Sequence, residues 1–259
     1  MKEFLKISIV QADLFWLDKK KNINLFNSLL EKVEETDVIL LPEMFNTSFC
    51  PSEIKLAEDM NGNSVDWMRN LASEKKCSVA GSIMIKENNN IFNRLIWISS
   101  NGECRHYDKQ HLFSLAKEDM FLTKGNSRLI VSEQGWNICP MICYDLRFPV
   151  FCRNNDDYDI LLFLSNWPQK RIDAWTTLLK ARAIENQCVS IGVNRVGTDN
   201  ANFLFTGQSS VYNVFGEEIL NLSNRTNIVE TVTLSRDSIA LHKRQMNFLK
   251  DRDSFTIHK

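Results

Sequence analysis

The feature that most constrains the fold is a set of short runs in which almost every residue is apolar. Val38-Ile39-Leu40-Leu41 is the clearest, and residues 137–142, 159–164 and 189–193 are of the same kind. A strand with no polar face must be covered on both sides, which is the condition of strands in parallel sheets flanked by helices. Segments of helical period lie between these runs. Ile23, Phe26, Leu30 and Val33 recur at that spacing, as do Trp67, Met68, Leu71 and Ala72, and later Trp175, Leu178, Leu179 and Ala183. Residues 7–12 read as a first strand. Residues 78–85 and 95–98 pair across the polar turn 87–90, and residues 209–214 and 217–220 form a hairpin around Phe215-Gly216. The alternation predicts an α/β protein with its sheets covered by helices.

The 259 residues allow one large domain or two small ones. Only nine Gly and five Pro are spread through the chain, and no linker-like stretch divides it, so a single domain over 1–259 is expected. The polar tail, about 241–259 with Lys243, Arg244, Lys250, Arg252 and Lys259, is a candidate for packing at a subunit interface. A formal net charge of −1 argues against a broad nucleic-acid or membrane-binding face. No apolar run nears the ~20 residues that span a bilayer. The start, MKEFLKISIVQAD, reads as a strand and not as an export signal. With seven scattered cysteines, the expectation is reduced thiols and a cytoplasmic protein.

Three segments place a reactive side chain just past an apolar strand, where α/β folds open their ligand crevice. The first is Leu41-Pro42-Glu43-Met44-Phe45, the second Tyr107-Asp108-Lys109-Gln110-His111, and the third Ile142-Cys143-Tyr144-Asp145-Leu146-Arg147. Each has an ordinary reading when taken alone. Glu43 could cap a helix, Lys109 could be solvated, and Cys143 could be a small hydrophobe. A thiol that ends a strand and opens a turn is, however, both rigidly held and accessible, and the next backbone N–H groups can face a developing oxyanion. No Cys-x-x-Cys or His pair accompanies Cys139 and Cys143, so no metal site is expected. Neither a G-x-G-x-x-G nor a P-loop is present, and no cofactor is expected.

Together the segments resemble the nitrilase superfamily of carbon–nitrogen hydrolases, whose Glu-Lys-Cys triad occupies comparable motifs in the same order. The matching stretches are LPEMF, YDKQHLF and ICYDLRFP, followed by SNWP (165–168), ARAIENQ (181–187) and NRVG (194–197). Within the superfamily, ICYDLRFPVF followed by SNWP and NRVG is most similar to the bacterial omega-amidase branch, which hydrolyses the terminal amide of 2-oxoglutaramate. The resemblance implies a four-layer α-β-β-α sandwich that dimerises through a helical layer. It also implies catalytic Glu43, Lys109 and Cys143, with Glu118 as a second, supporting glutamate, although neighbouring Asp119 offers another carboxylate.

In the implied reaction Glu43 takes the Cys143 proton as sulfur attacks the amide carbonyl. Lys109 and the Tyr144 backbone N–H hold the oxyanion, ammonia leaves a thioester, and water then releases the acid. A nitrilase proper or a carbamoyl-amine hydrolase would use the same triad, and a non-catalytic binding protein is the remote alternative. The implied partner is a small 2-oxo dicarboxylic monoamide, 2-oxoglutaramate or 2-oxosuccinamate, whose carboxylate needs a cation beyond the triad. Arg171 and Arg195 are candidates for that cation, whereas Arg147 is expected to pair with Asp145 or another acid. Phe45, Phe49 and Trp167 are expected as apolar walls, and His111 is expected to hydrogen-bond within its own loop.

Overall fold

The computed structural model describes residues 2–257. The first half of the chain runs β1 (Phe4–Gln11), α1 (Lys19–Leu30), β2 (Val38–Leu40), α2 (Asn63–Lys75), β3 (Ser78–Glu87), β4 (Asn90–Ile98) and β5 (Cys104–Asp108). The second half runs β6 (Val131–Glu133), β7 (Trp136–Ile142), α3 (Pro149–Cys152), β8 (Ile160–Ser165), α4 (Ile172–Asn186), β9 (Val189–Asn194), β10 (Val196–Thr198), β11 (Leu204–Tyr212) and β12 (Glu218–Ser223). It closes with β13 (Ile228–Ser235) and α5 (Arg236–Gln245). One six-stranded sheet has the order β13-β1-β2-β3-β4-β5, so the last strand returns to pair antiparallel with the first. The second, seven-stranded sheet has the order β10-β11-β9-β8-β7-β6, with β12 also on β11.

Strand parity explains the layering. Ile7, Ile9, Val38 and Leu40 face the second sheet and join one core with Ile138, Leu162 and Val193. Their neighbours Val10, Ile39 and Leu41 point the other way, into a core with Phe26 and Leu30 of α1 and Val65, Met68 and Leu71 of α2. On the far side, α4 lays Trp175, Leu179 and Ala183 on the second sheet. Gly192 permits that approach, because a Cβ there would stand 2.4 Å from Leu179 and 2.5 Å from Trp175. The result is helix, sheet, sheet, helix, the sandwich that the motifs implied. Each large apolar side chain so buried contributes roughly 1.5–3 kcal/mol.

The helix stripe read from Ile23 to Val33 is shorter than its periodicity suggests. α1 stops at Leu30, and Val33 is buried in the following turn, its N–H on Leu30 O. At the other end of the chain, α5 seats on its own subunit. Ile239, His242 and Leu249 are buried, Lys243 pairs with Asp159 at 3.4 Å, and Arg252 with Asp157 at 3.0 Å. That stretch of the tail therefore packs on its own chain, whereas Lys259 lies outside the described residues. Among the described residues, no helix is long and apolar enough to cross a membrane.

β1, β2 and β3 are mutually parallel, as are β7, β8 and β9. β5 follows two antiparallel steps from β3 and so points the same way as β3. The residues just past β2, β5, β7 and β8 are Glu43, Lys109, Cys143 and Asn166, and all four line one cavity.

Candidate active site

The floor of that cavity is a buried ionic cluster. Lys109 Nζ donates to Glu43 Oε1 at 2.8 Å and to Glu118 Oε2 and Oε1 at 2.9 and 3.1 Å. All three side chains are fully buried. Breaking a buried pair costs about 3–5 kcal/mol when it leaves a charge uncompensated, but here two carboxylates share one ammonium, so Lys109 keeps Glu118 if Glu43 is neutralised. The cluster is completed by neutral donors. Asn93 Nδ2 donates to Glu43 Oε1 at 2.8 Å and to Glu118 Oε1 at 3.1 Å. The Phe113 N–H donates to Glu118 Oε2 at 2.6 Å and the Asn166 N–H to Glu43 Oε2 at 2.8 Å. Burial works against the Lys109 charge, but Glu118 and Glu43 outweigh it and hold the ammonium more strongly than in free lysine. Burial raises the Glu118 carboxyl, with Lys109 opposing. Asp119, the other carboxylate of that loop, is exposed.

Cys143 stands at the head of a 3-10 turn, Cys143–Arg147, directly after β7. Its φ of 43° lies in the left-handed region that a non-glycine residue adopts only when its surroundings enforce it. The enforcing group is Asp145, fully buried behind the turn. Its carboxylate accepts from the Ile142 N–H at 3.1 Å, the Tyr107 hydroxyl at 2.7 Å and the His111 N–H at 3.0 Å, with His111 Nδ1 at 2.8 Å. The thiol itself is pushed well above its ordinary range, first by burial and then by the Glu43 charge, with Lys109 and the Asn166 N–H opposing. It is therefore a protonated thiol at rest and needs a base to become a nucleophile. A 3-10 turn leaves its first N–H groups without partners inside the turn, and Tyr144 is the residue after the thiol.

Above the floor, a cavity of about 340 Å³ is walled by Trp16, Phe49, Phe113, Trp167, Phe203 and Phe205. Two guanidinium groups lie in the wall. Arg147 packs over Trp167 at 4.9 Å and Arg171 over Phe113 at 5.1 Å. Among the described residues, neither pairs with a carboxylate. Burial lowers the Arg171 pKa and the nearby Arg147 charge adds to this, against an opposite pull from Cys143.

The chain matches the carbon–nitrogen hydrolase family over residues 6–244. It belongs to that family. It is 38% identical to omega-amidase YafV of Escherichia coli K12 over 255 residues, 98% of each chain. It is 30% identical to 2-oxoglutaramate amidase of Bacillus subtilis 168, with 86% of this chain and 88% of that one covered. The crystal structure of XC1258 from Xanthomonas campestris, a CN-hydrolase superfamily protein with an arsenic adduct in its active site, superposes with a TM-score of 0.97. The identity there is 38%, over 99% of this chain and 100% of that one.

This carbon–nitrogen hydrolase departs from several residue-level expectations. Phe45 is not a cavity wall. It is buried on the opposite side of the loop, edge-on to Phe26 at 5.6 Å and against Trp67, in space left by Gly81. Arg195 does not reach the cavity either. It is fully buried and committed to Ser48 Oγ, Asp13 and the Leu14 and Val196 carbonyls. Arg147 does not pair with Asp145, whose oxygens are already taken. His111 bonds across to Asp145, not within its own loop, and stacks on Phe148 at 3.7 Å. Phe49, Trp167 and Arg171 do line the cavity. Two residues went unnoticed in the sequence, Asn93 and Asn166. Asn166 carries a signal, since it lies in the SNWP stretch, whereas Asn93 has no motif of its own.

Proposed function

We propose that this chain is a thiol amidohydrolase that cleaves the terminal amide of a small 2-oxo dicarboxylic acid monoamide. 2-Oxoglutaramate and 2-oxosuccinamate are the substrates to which the reading commits. The observation that carries it is the pairing of a buried Glu43-Lys109-Glu118 floor beside Cys143 with two arginines on the wall of the same cavity, which have no carboxylate partner among the described residues. The names borne by the E. coli and B. subtilis relatives support the same reading.

In the proposed mechanism Glu43 accepts the thiol proton as Sγ attacks the amide carbonyl carbon. The oxyanion is held by the Tyr144 N–H and by the Lys109 ammonium, which turns one of its two contacts on Glu118 towards it. Each such donor is worth about 3–4 kcal/mol in the transition state. The protonated Glu43 then gives its proton to the leaving nitrogen, ammonia departs, and a thioester remains on Cys143. Glu43 next takes a proton from water as that water attacks the thioester, and the acid is released with the thiol restored. Glu118 acts on Lys109, holding its ammonium in place. Arg147 and Arg171 receive the substrate carboxylate, a charge-assisted contact that a neutral amide cannot make.

We also infer a cytoplasmic homodimer. Ile184 and Phe215 are both exposed, and Gly216 approaches Ile184 closely on the outer α4 face, which gives a second copy an apolar surface to cover. Sedimentation equilibrium should return twice the 30.0 kDa chain mass. The activity is tested by measuring ammonia release from 2-oxoglutaramate, 2-oxosuccinamate, glutamine, a short alkyl amide, a nitrile and a ureido acid. The two oxo-acid amides should lead by at least ~100-fold in kcat/KM, about 2.7 kcal/mol, as expected for a site that reads one polar group. Faster turnover of the nitrile or the ureido acid would replace this reading with another carbon–nitrogen hydrolase activity.

A further inference from the structure

Asn93 lies on β4, fully buried and outside the cavity lining, yet it touches every charged member of the floor. Its backbone carbonyl accepts from the Lys109 N–H at 3.0 Å, and its side-chain amide donates to both Glu43 and Glu118. The orientation of that amide is set from both sides. Ionised carboxylates only accept, so the NH2 must face Glu43 and Glu118. Behind it, Ser82 Oγ accepts from the Met44 N–H at 2.9 Å and donates to Asn93 Oδ1 at 2.9 Å. Met44 directly follows Glu43 and has a φ of 43°, so the relay also fixes the backbone that carries Glu43.

Glu43 Oε1 receives Lys109 and Asn93, which fills it. Oε2 receives only the Asn166 N–H, and that same amide stabilises the thiolate form of Cys143. One acceptor site therefore remains, on the oxygen that shares the Asn166 N–H with Cys143. We infer that Asn93 is a positioning residue that, held by Ser82, occupies Glu43 Oε1 and leaves Oε2 as the single proton-accepting atom for Cys143. The inference rests on the reading of Glu43 as the base. The charged or ionisable groups facing Glu43 are Lys109, Glu118 and Cys143, and all three remain when Asn93 is changed.

The test compares Asn93→Ala, Asn93→Asp and Ser82→Ala with the wild type on 2-oxoglutaramate. Asn93→Ala should lower kcat by about 100-fold, the lower end of what a positioned general base supplies, with KM changed less than about threefold. The acid limb of its kcat profile should move to higher pH, because each carboxylate loses a donor that favours its ionised form. The pH dependence of Cys143 alkylation by iodoacetamide should change with it. Asn93→Asp has nearly the same shape but adds a third carboxylate, and should be slower still. Ser82→Ala leaves every contact to the carboxylates in place and should lose about tenfold, which keeps the test open if Asn93→Ala does not fold. A folded Asn93→Ala with kcat within threefold of wild type overturns the inference. So does a lowered kcat with unchanged pH and alkylation profiles, which would mark a packing role only, and so does a Ser82→Ala of wild-type rate. Glu43→Gln is run alongside. If it is active, the Glu43 reading itself fails; if it is inactive while Asn93→Ala is normal, only the positioning role fails.

Discussion

The floor and the wall of the cavity both hold charged side chains, but in opposite conditions. On the floor Lys109, Glu43 and Glu118 are fully buried and bound to one another and to Asn93, Asn166 and Phe113. On the wall Arg147 and Arg171 are half-buried and rest on aromatic faces. A satisfied charge does not need a ligand, whereas a cation over a ring still has its hydrogen-bond donors to offer. The difference assigns bond-breaking to the floor and substrate choice to the wall. It also separates Arg195 from the other two arginines, since its donors are taken up by Ser48, Asp13 and two carbonyls.

The largest effect that would sharpen the comparison is at the thiol. Cys143→Ala should lower kcat by at least ~10⁴-fold on every amide, acidic or neutral, as expected for a residue that acts in concert with its neighbours. Serine at Cys50, which borders the cavity, or at Cys77 should keep more than about a tenth of the activity. Rapid quench followed by intact-mass measurement should find the acyl adduct on the peptide carrying Cys143. Retained turnover in Cys143→Ala would remove the nucleophile from the floor altogether.

Next comes Glu43→Gln, with an expected loss of about 10³-fold in kcat, within the range of a removed general base. Its shape is conserved, so its melting temperature should stay within a few degrees of wild type. Collapse of the melting transition with proportionate loss of activity would make Glu43 a structural group. The smallest kinetic effect is expected at Arg195. Arg195→Met should cost stability, about 1–3 kcal/mol for the buried Ser48 hydroxyl and the carbonyls left unpaired, and leave the preference among amides unchanged. A changed preference would return Arg195 to the wall.

How much of this was legible in the sequence depends on where each residue's partners lie. The parallel strands announced themselves because burial on both faces removes polar alternation, and Glu43, Lys109 and Cys143 stood out at their ends. Phe45 misled because side-chain parity does not survive the loop. The positive φ of Met44 turns the chain, so Phe45 enters the helix-facing core while Glu43 enters the cavity. Arg195 misled because what binds it, Asp13 and Ser48, lies more than 140 residues away in the chain. Asn93 was invisible for a different reason. A lone asparagine inside a strand looks like ordinary alternation until the fold brings Glu43, Glu118 and Ser82 around it.

The most direct test of the central claim is to change the wall and leave the floor alone. Arg147→Ala, Arg171→Ala and the double variant would be compared with wild type on 2-oxoglutaramate and on a neutral alkyl amide of similar length. The account predicts that kcat/KM for the acidic amide falls by about 100-fold, mostly through KM, as an unpaired carboxylate must then enter the cavity. The neutral amide should change by less than about threefold, so that the double variant no longer distinguishes the two. Equal losses on both substrates, or an undiminished preference for the acidic amide, would contradict the division of labour between floor and wall.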